Sequence, residues 1–267
     1  MLEKLYITLQ NIEILRVSLR LQKRKELTDM TTHRAKSRIG GLVCASLLAL
    51  AGILGFTLYS MEQSGNPDPV PGKAVSLDPY GFPEVDWEYW KSVNPDVIAW
   101  VTVPGTNIDS PIVQAHSSDP EYYLHHDVYG KYNVYGCPYL DAKCIDKGFE
   151  SQNSVIFGHH MNDQTVFSAF SKFTDKSFAQ DNSKVLLQMP GEKHILSVKL
   201  ADVINAANDK SKRTEFTDDA DFAKWYGERM DSADMVLDTA VPSRNVTFVT
   251  CSYNRFKNER TLVFASE

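Results

Sequence analysis

The chain has 267 residues with the composition of an ordinary globular protein, 43% hydrophobic and 23% charged, enough for one substantial domain with appendages. Its net charge of −6 is unevenly spread: residues 1–38 carry nine Lys/Arg against four Asp/Glu, and the rest carries 19 against 30. A main body this acidic supplies no basic stripe to track phosphates, which argues against a nucleic-acid partner.

In chain order, residues 1–29 place Leu2, Leu5, Leu9, Ile12, Leu15 and Leu19 at helical spacing. They suggest either a basic amphipathic helix on an inner membrane surface, or a stretch that precedes a true start at Met30. "IGGLVCASLLALAGILGFTLYS", residues 39–60, is uncharged over 22 residues, about what a helix needs to cross a hydrocarbon core of roughly 30 Å. Arg34, Lys36 and Arg38 lie just before it and Glu62 is the first charge after it. The positive-inside rule therefore predicts a cytoplasmic N-terminus and an extracellular acidic domain. A cleaved signal peptide fits less well, because the apolar run is long and no small-x-small site precedes a polar start. The expected organisation is a cytoplasmic basic segment (1–38), a transmembrane signal anchor (39–60), a Pro/Gly/Ser-rich linker (61–83) and an extracellular domain (84–267).

Within the domain, 84–96 reads as a short helix ended by Asn94-Pro95. Residues 97–114 read as two strands about a Pro104-Gly105 turn. Short strands are expected at 121–127, 134–141 and 154–158, and a helix over 164–173 with Val166, Phe167, Phe170 and Phe173 on one face. Residues 184–189 and 194–205 suggest a hairpin, 218–230 an amphipathic helix with Phe222, Trp225 and Tyr226, and 245–264 a final strand pair. The pattern predicts a mainly β, barrel-like domain with inserted helices.

Four cysteines do not make a disulfide framework in a domain of this size. Cys44 falls in the apolar run, and Cys137 and Cys144 lack zinc-ligand spacing, so they read as free or buried thiols, with a local disulfide as the alternative. No metal and no cofactor is expected; adjacent histidines cannot easily share one metal, and no HExxH pattern occurs.

Cys251 closes a strand-like run and Arg260 opens the next. A cysteine nucleophile needs a base or cation to favour thiolate, donors for an oxyanion and a rigid platform. A hairpin over 252–259 would bring the permanent, two-donor guanidinium of Arg260 near the thiol. Read alone, a cysteine at a strand end is more commonly inert core. The missing partner is a histidine, best sought in "IFGHHM" (156–161), where Gly158 permits a bend; His125-His126 form a competing doublet.

With those segments in place, the sequence resembles the sortases, the membrane-anchored cysteine transpeptidases of Gram-positive bacteria, and specifically class B. "NPDVIAWVTVPGTNIDSPIVQ", "YYLHHD", "GCPYLD", "NSVIFGHHMNDQTVFSAF" and "VTFVTCSYNRFKNERTLVFA" are similar to family segments in the family's order. The resemblance implies an eight-stranded β-barrel with N-terminal helices and a long helix before the cysteine strand. It selects His159 over His160, Cys251 as nucleophile and Arg260 over Arg255. It implies that Cys251 attacks a C-terminal sorting motif after Thr and forms a thioester, which an amine of cell-wall peptidoglycan resolves. A pilin-polymerising sortase, or a non-catalytic binding protein on the same scaffold, are the alternatives; a papain-like enzyme would place its histidine after its cysteine. Phe157, Thr250 and Tyr253 are expected to contact substrate, and Tyr253 stands where some class B members carry an acid. The implied partners are surface proteins with a C-terminal sorting signal, a peptidoglycan or pilin amine, and membrane lipid around 39–60.

Overall fold

The computed structural model describes residues 16, 18–20, 77–207, 209–252 and 258–267. The chain divides into two compact units, residues 1–65 and 66–267. Of the first unit, residues 16 and 18–20 are described, and they are helical and exposed. The proposed anchor at 39–60 and most of the amphipathic stretch lie outside the described residues. Among the described residues no helix is long and apolar enough to cross a membrane.

Among the described residues the second unit has nine strands: β1 (Val97–Thr102), β2 (Asp109–Gln114), β3 (Tyr139–Leu140), β4 (Asn153–Phe157), β5 (Lys184–Met189), β6 (Glu192–Asn205), β7 (Met235–Val236), β8 (Asn245–Ser252) and β9 (Glu259–Ser266). They pair in the order β5-β1-β2-β3-β4-β8-β9-β6-β7, and a further β5–β6 pairing closes the sheet on itself. Eight strands thus form the barrel and the two-residue β7 is an annex on β6, as the resemblance implied. Closure removes sheet edges that would otherwise invite pairing with other chains. Two of the pairings are parallel, β2–β3 and β4–β8; the rest are antiparallel.

Alternation along the strands separates an inner from an outer face. Inward go Val101, Ile112, Ile156, Phe248 and Val263, which pack with Phe167, Phe170 and Phe173. Phe170 stacks on Phe248 with ring centres 4.7 Å apart. Each such buried ring contributes about 1.5–3 kcal/mol over an exposed one. Outward go Val155, Val249, Leu262 and Phe264, covered by the helix α3 (Asp219–Ser232; α1 and α2 are given below) through Phe222, Trp225 and Tyr226. The i, i+3, i+4 spacing of those three rings puts them on one helical face. Asp218 caps α3 by accepting from the Asp221 N–H at 2.8 Å, the kind of cap worth about 1 kcal/mol.

Helix α1 (Trp87–Val93) begins at the Asp86 cap and seats Trp90 against Trp100 of β1, ring centres 5.6 Å apart. A short α2 (Lys176–Asp181), not expected from sequence, is capped by Asp175. Three expectations need correction. Residues 121–127 are not a strand: Tyr122–Leu124 form one 3-10 turn, held where the Tyr122 ring stacks on His126 at 3.9 Å. Residues 134–141 supply only the two-residue β3. The helix over 164–173 is a 3-10 helix at Ser168–Lys172. Phe167, Phe170 and Phe173 are spaced by three, which suits three residues per turn better than 3.6.

Candidate active site

β4 and β8 run side by side in the same direction, with Phe157 opposite Val249. The Gly158 N–H continues this ladder by donating to the Val249 carbonyl at 3.0 Å. The chain that follows β4 and the end of β8 therefore emerge on one rim of the barrel. Gly158 is required there by close packing: a Cβ at this position would meet Cγ and Cδ2 of Phe167 at 2.5 Å. Phe167 belongs to the inner core, and its N–H donates to the His159 carbonyl at 2.9 Å. His159 is thus seated by the core itself.

β9 returns antiparallel beside β8 and sets Arg260 directly opposite Cys251. Side chains directly opposite in a ladder share a face, here the outer one that carries Val249 and Leu262. His159, Cys251 and Arg260 are all half-buried and line one cavity of about 370 Å³. The structure therefore brings together the three polar residues singled out in the sequence.

His159 Nε2 lies 2.7 Å from the Leu124 carbonyl oxygen. A carbonyl only accepts, so Nε2 carries the proton and the neutral ring keeps its lone pair on Nδ1. Burial pushes the His159 pKa below the usual imidazole value; the Leu124 hydrogen bond opposes this, while nearby His125 and Arg260 add to it. Such a ring is neutral near pH 7 and competent as a proton acceptor. Arg260 Nη1 donates to the Glu259 carbonyl at 2.9 Å, which steadies the guanidinium at the mouth of its strand.

The other expected positions fall as follows. Phe157 lines the cavity and stacks on Tyr139, ring centres 5.4 Å apart. Thr250 lines it too; its Oγ1 is buried and has no hydrogen-bond partner among the described residues. Tyr253 lies outside the described residues. Of the competing doublet, His125 comes within 6.5 Å of the His159 ring centre, whereas His126 is stacked on Tyr122 and bonds its carbonyl at 2.8 Å. Cys137 and Cys144 are free and buried, and burial raises both thiols.

Two contributors were missed in the sequence. Leu124 acts through its main-chain oxygen, which leaves no trace in residue type. Tyr139 lines the cavity; burial first, then the carboxylates of Glu121 and Asp141, hold its phenol protonated as a neutral donor. Its place in "GCPYLD" gave only a strand signal. No group of three or more His, Cys, Asp or Glu side chains suited to a metal ion occurs among the described residues.

Comparison with known proteins agrees with this geometry. The sortase domain family matches residues 101–267. Sortase B of Listeria monocytogenes is 35% identical over 88 residues, a third of this chain (33%) and 35% of its own length. Sortase B of Staphylococcus aureus is 24% identical over 167 residues, 62% of this chain and 67% of its own. The crystal structure of Clostridium perfringens sortase B is 29% identical with a TM-score of 0.61, covering 67% of this chain and 97% of that one. A Staphylococcus aureus sortase B–substrate complex, at 23% identity and TM-score 0.59 over 67% of this chain and 82% of that one, shares the fold. With a family match over more than half its length and the relatives named above being sortase B, the chain belongs to the sortase family, in class B.

Proposed function

We propose that the chain is a cysteine transpeptidase whose working residues are Cys251, His159 and Arg260. The observation that carries this reading is the placement of a thiol opposite a guanidinium on adjacent strands, with a neutral imidazole on the same rim and all three lining one cavity.

Derived from these groups, the reaction has two halves. Cys251 Sγ, as thiolate, attacks the carbonyl carbon of the Thr in a sorting motif, in the peptide bond that follows that Thr. The charge that develops on the carbonyl oxygen is met by N–H groups of Arg260, which act best where water is excluded. His159, having taken up the thiol proton, returns it to the departing amine as the C–N bond breaks, leaving a thioester on Cys251. An incoming amine then gives its proton to His159 Nδ1 and attacks the thioester. The new amide forms, the thiol is regenerated, and no nucleotide is consumed, because the thioester conserves the energy of the bond that was cut.

The substrate is a surface protein with a C-terminal sorting signal and the acceptor an amine of cell-wall peptide. The apolar run at 39–60 would anchor the chain in the membrane with residues 84–267 outside and 1–38 within. Phe157, Thr250 and Tyr253 would contact the motif. Incubating the chain with a panel of Thr-containing sorting peptides tests the reading. Wild-type protein should form an acyl-enzyme at Cys251 visible by mass spectrometry, and Cys251→Ala should form none. An unmodified thiol across the whole panel would overturn it in favour of a binding role.

A further inference from the structure

We infer that His160, the neighbour of the proposed general base, is a positioning residue for the nucleophile: its imidazole takes over the β4–β8 ladder where β4 ends and holds the Cys251 peptide. The inference rests on Cys251 being the nucleophile.

The register makes the case. In the parallel β4–β8 pair, Gly158 N–H donates to the Val249 carbonyl. Two residues further along each strand, a continued ladder would set the main-chain N–H of residue 160 against the carbonyl of Cys251. Instead His160 Nδ1 stands 2.8 Å from that carbonyl oxygen, across a separation of 91 residues in sequence. Since a carbonyl only accepts, Nδ1 must carry the proton.

His160 is held in turn. It bridges to Val166, the Met161 N–H donates to Ser168 Oγ at 2.7 Å, and Ser168 Oγ bonds the Thr165 carbonyl at 2.6 Å. Val166 itself adopts φ +55°, a conformation that a β-branched residue rarely takes. The loop that follows His159 is thus braced in a strained form that delivers the imidazole to the Cys251 carbonyl. One residue is the proposed acid–base group and the next holds the peptide of the nucleophile, so the two stay in register at the point where strand pairing stops.

The side-chain amide nitrogen of asparagine falls near imidazole Nδ1, and that of glutamine near Nε2. His160→Asn should therefore keep the bond that His160→Gln and His160→Ala lose. In the full 267-residue chain, His160→Ala and His160→Gln should lower kcat by about ten-fold with KM little changed, and His160→Asn should stay within about three-fold of wild type. Alkylation of Cys251 by iodoacetamide, located by mass spectrometry, should follow the same order without any peptide substrate. Equal alkylation rates in all four proteins would overturn the inference, as would asparagine and glutamine variants that behave alike. If the alanine variant fails to fold, the asparagine–glutamine pair still decides. If wild type acts on no peptide but the alkylation order holds, the positioning role stands and the transpeptidase reading falls.

Discussion

Cys251 and Arg260 face each other across β8 and β9 at a position where their main chains do not bond to one another. The Cys251 carbonyl points the other way, toward His160, and the Val249 carbonyl likewise serves β4. Such non-hydrogen-bonded pairs bring Cα atoms to about 4.5 Å, the closest approach an antiparallel ladder offers to side chains. Hydrogen-bond parity along β8 thus pairs Cys251 with Arg260 at the closer of the two spacings that an antiparallel ladder offers.

Arg260→Ala should therefore reduce kcat by about 10²- to 10³-fold, the usual loss when an oxyanion donor is removed. Arg260→Lys keeps the charge without the planar fork and should recover only part of that loss. Steady-state cleavage of the best sorting peptide measures both.

His159 should titrate below the ordinary histidine value when followed by NMR of the imidazole carbons, because burial outweighs its bond to Leu124. Removing the nearby His125 ring, which lowers the His159 value, by His125→Ala should move the midpoint upward. The sign for stability follows: a histidine whose folded pKa is depressed contributes stability present above pH about 6.5 and lost as the pH falls through the folded value. A midpoint above that of a free histidine would contradict the burial argument.

Gly158→Ala forces a methyl into the Phe167 ring at 2.5 Å. The ring is locked in the aromatic core beside Phe170 and Phe248, so the backbone must give. A loss of about 1–3 kcal/mol in urea unfolding is expected, together with a fall in kcat as His159 is displaced.

Thr250→Val removes a buried hydroxyl that has no partner among the described residues. Replacing an unsatisfied group by an isosteric apolar one should leave stability unchanged or raise it by about 1 kcal/mol. Because Thr250 lines the cavity, KM for the sorting peptide should rise at the same time. A drop in stability would show that the hydroxyl is satisfied in solution.

Asp202 of β6 is buried and its carboxyl is raised by that burial, against the opposing pull of Arg229 on α3 at 3.6 Å. Arg229→Met should cost about 3–5 kcal/mol at neutral pH by stranding the carboxylate. A folded pKa above the unfolded one means that Asp202 favours folding most at low pH and less as the pH rises through the folded value. The variant's deficit in chemical denaturation should therefore shrink on acidification toward pH 4.

The barrel was legible because its strands announce themselves through β-branched alternation. The candidate site was legible only with the family resemblance, since residue type alone left Cys251 readable as an inert core thiol and His125-His126 as a competing doublet. What escaped was decided by geometry that residue type does not encode. Tyr122 and Tyr123 read as strand formers, yet the stacking of Tyr122 on His126 and turn bonds to Glu121 and Tyr122 carbonyls close a 3-10 turn. The run containing Phe167, Phe170 and Phe173 read as an α-helix, but its spacing of three and the Ser168 side chain, spent on Met161 and Thr165, favour the tighter helix. The Leu124 carbonyl and the ring of His160 act through bonds that only the assembled rim reveals.

The parallel pairing of β4 with β8 also bears on when activity can arise. A parallel neighbour cannot be joined by a tight turn, and here β5, β6, β7 and α3 all intervene before β8 returns. β9, the last strand, then lies between β8 and β6 and completes the ring. Contacts so distant in sequence form late, after the entropy of closing a long loop has been overcome. A nascent chain that has only reached β8 has its thiol but neither the guanidinium nor a sealed barrel. On the roles proposed for Cys251 and Arg260, the acyl-transfer site is complete only once β9 has paired with β8.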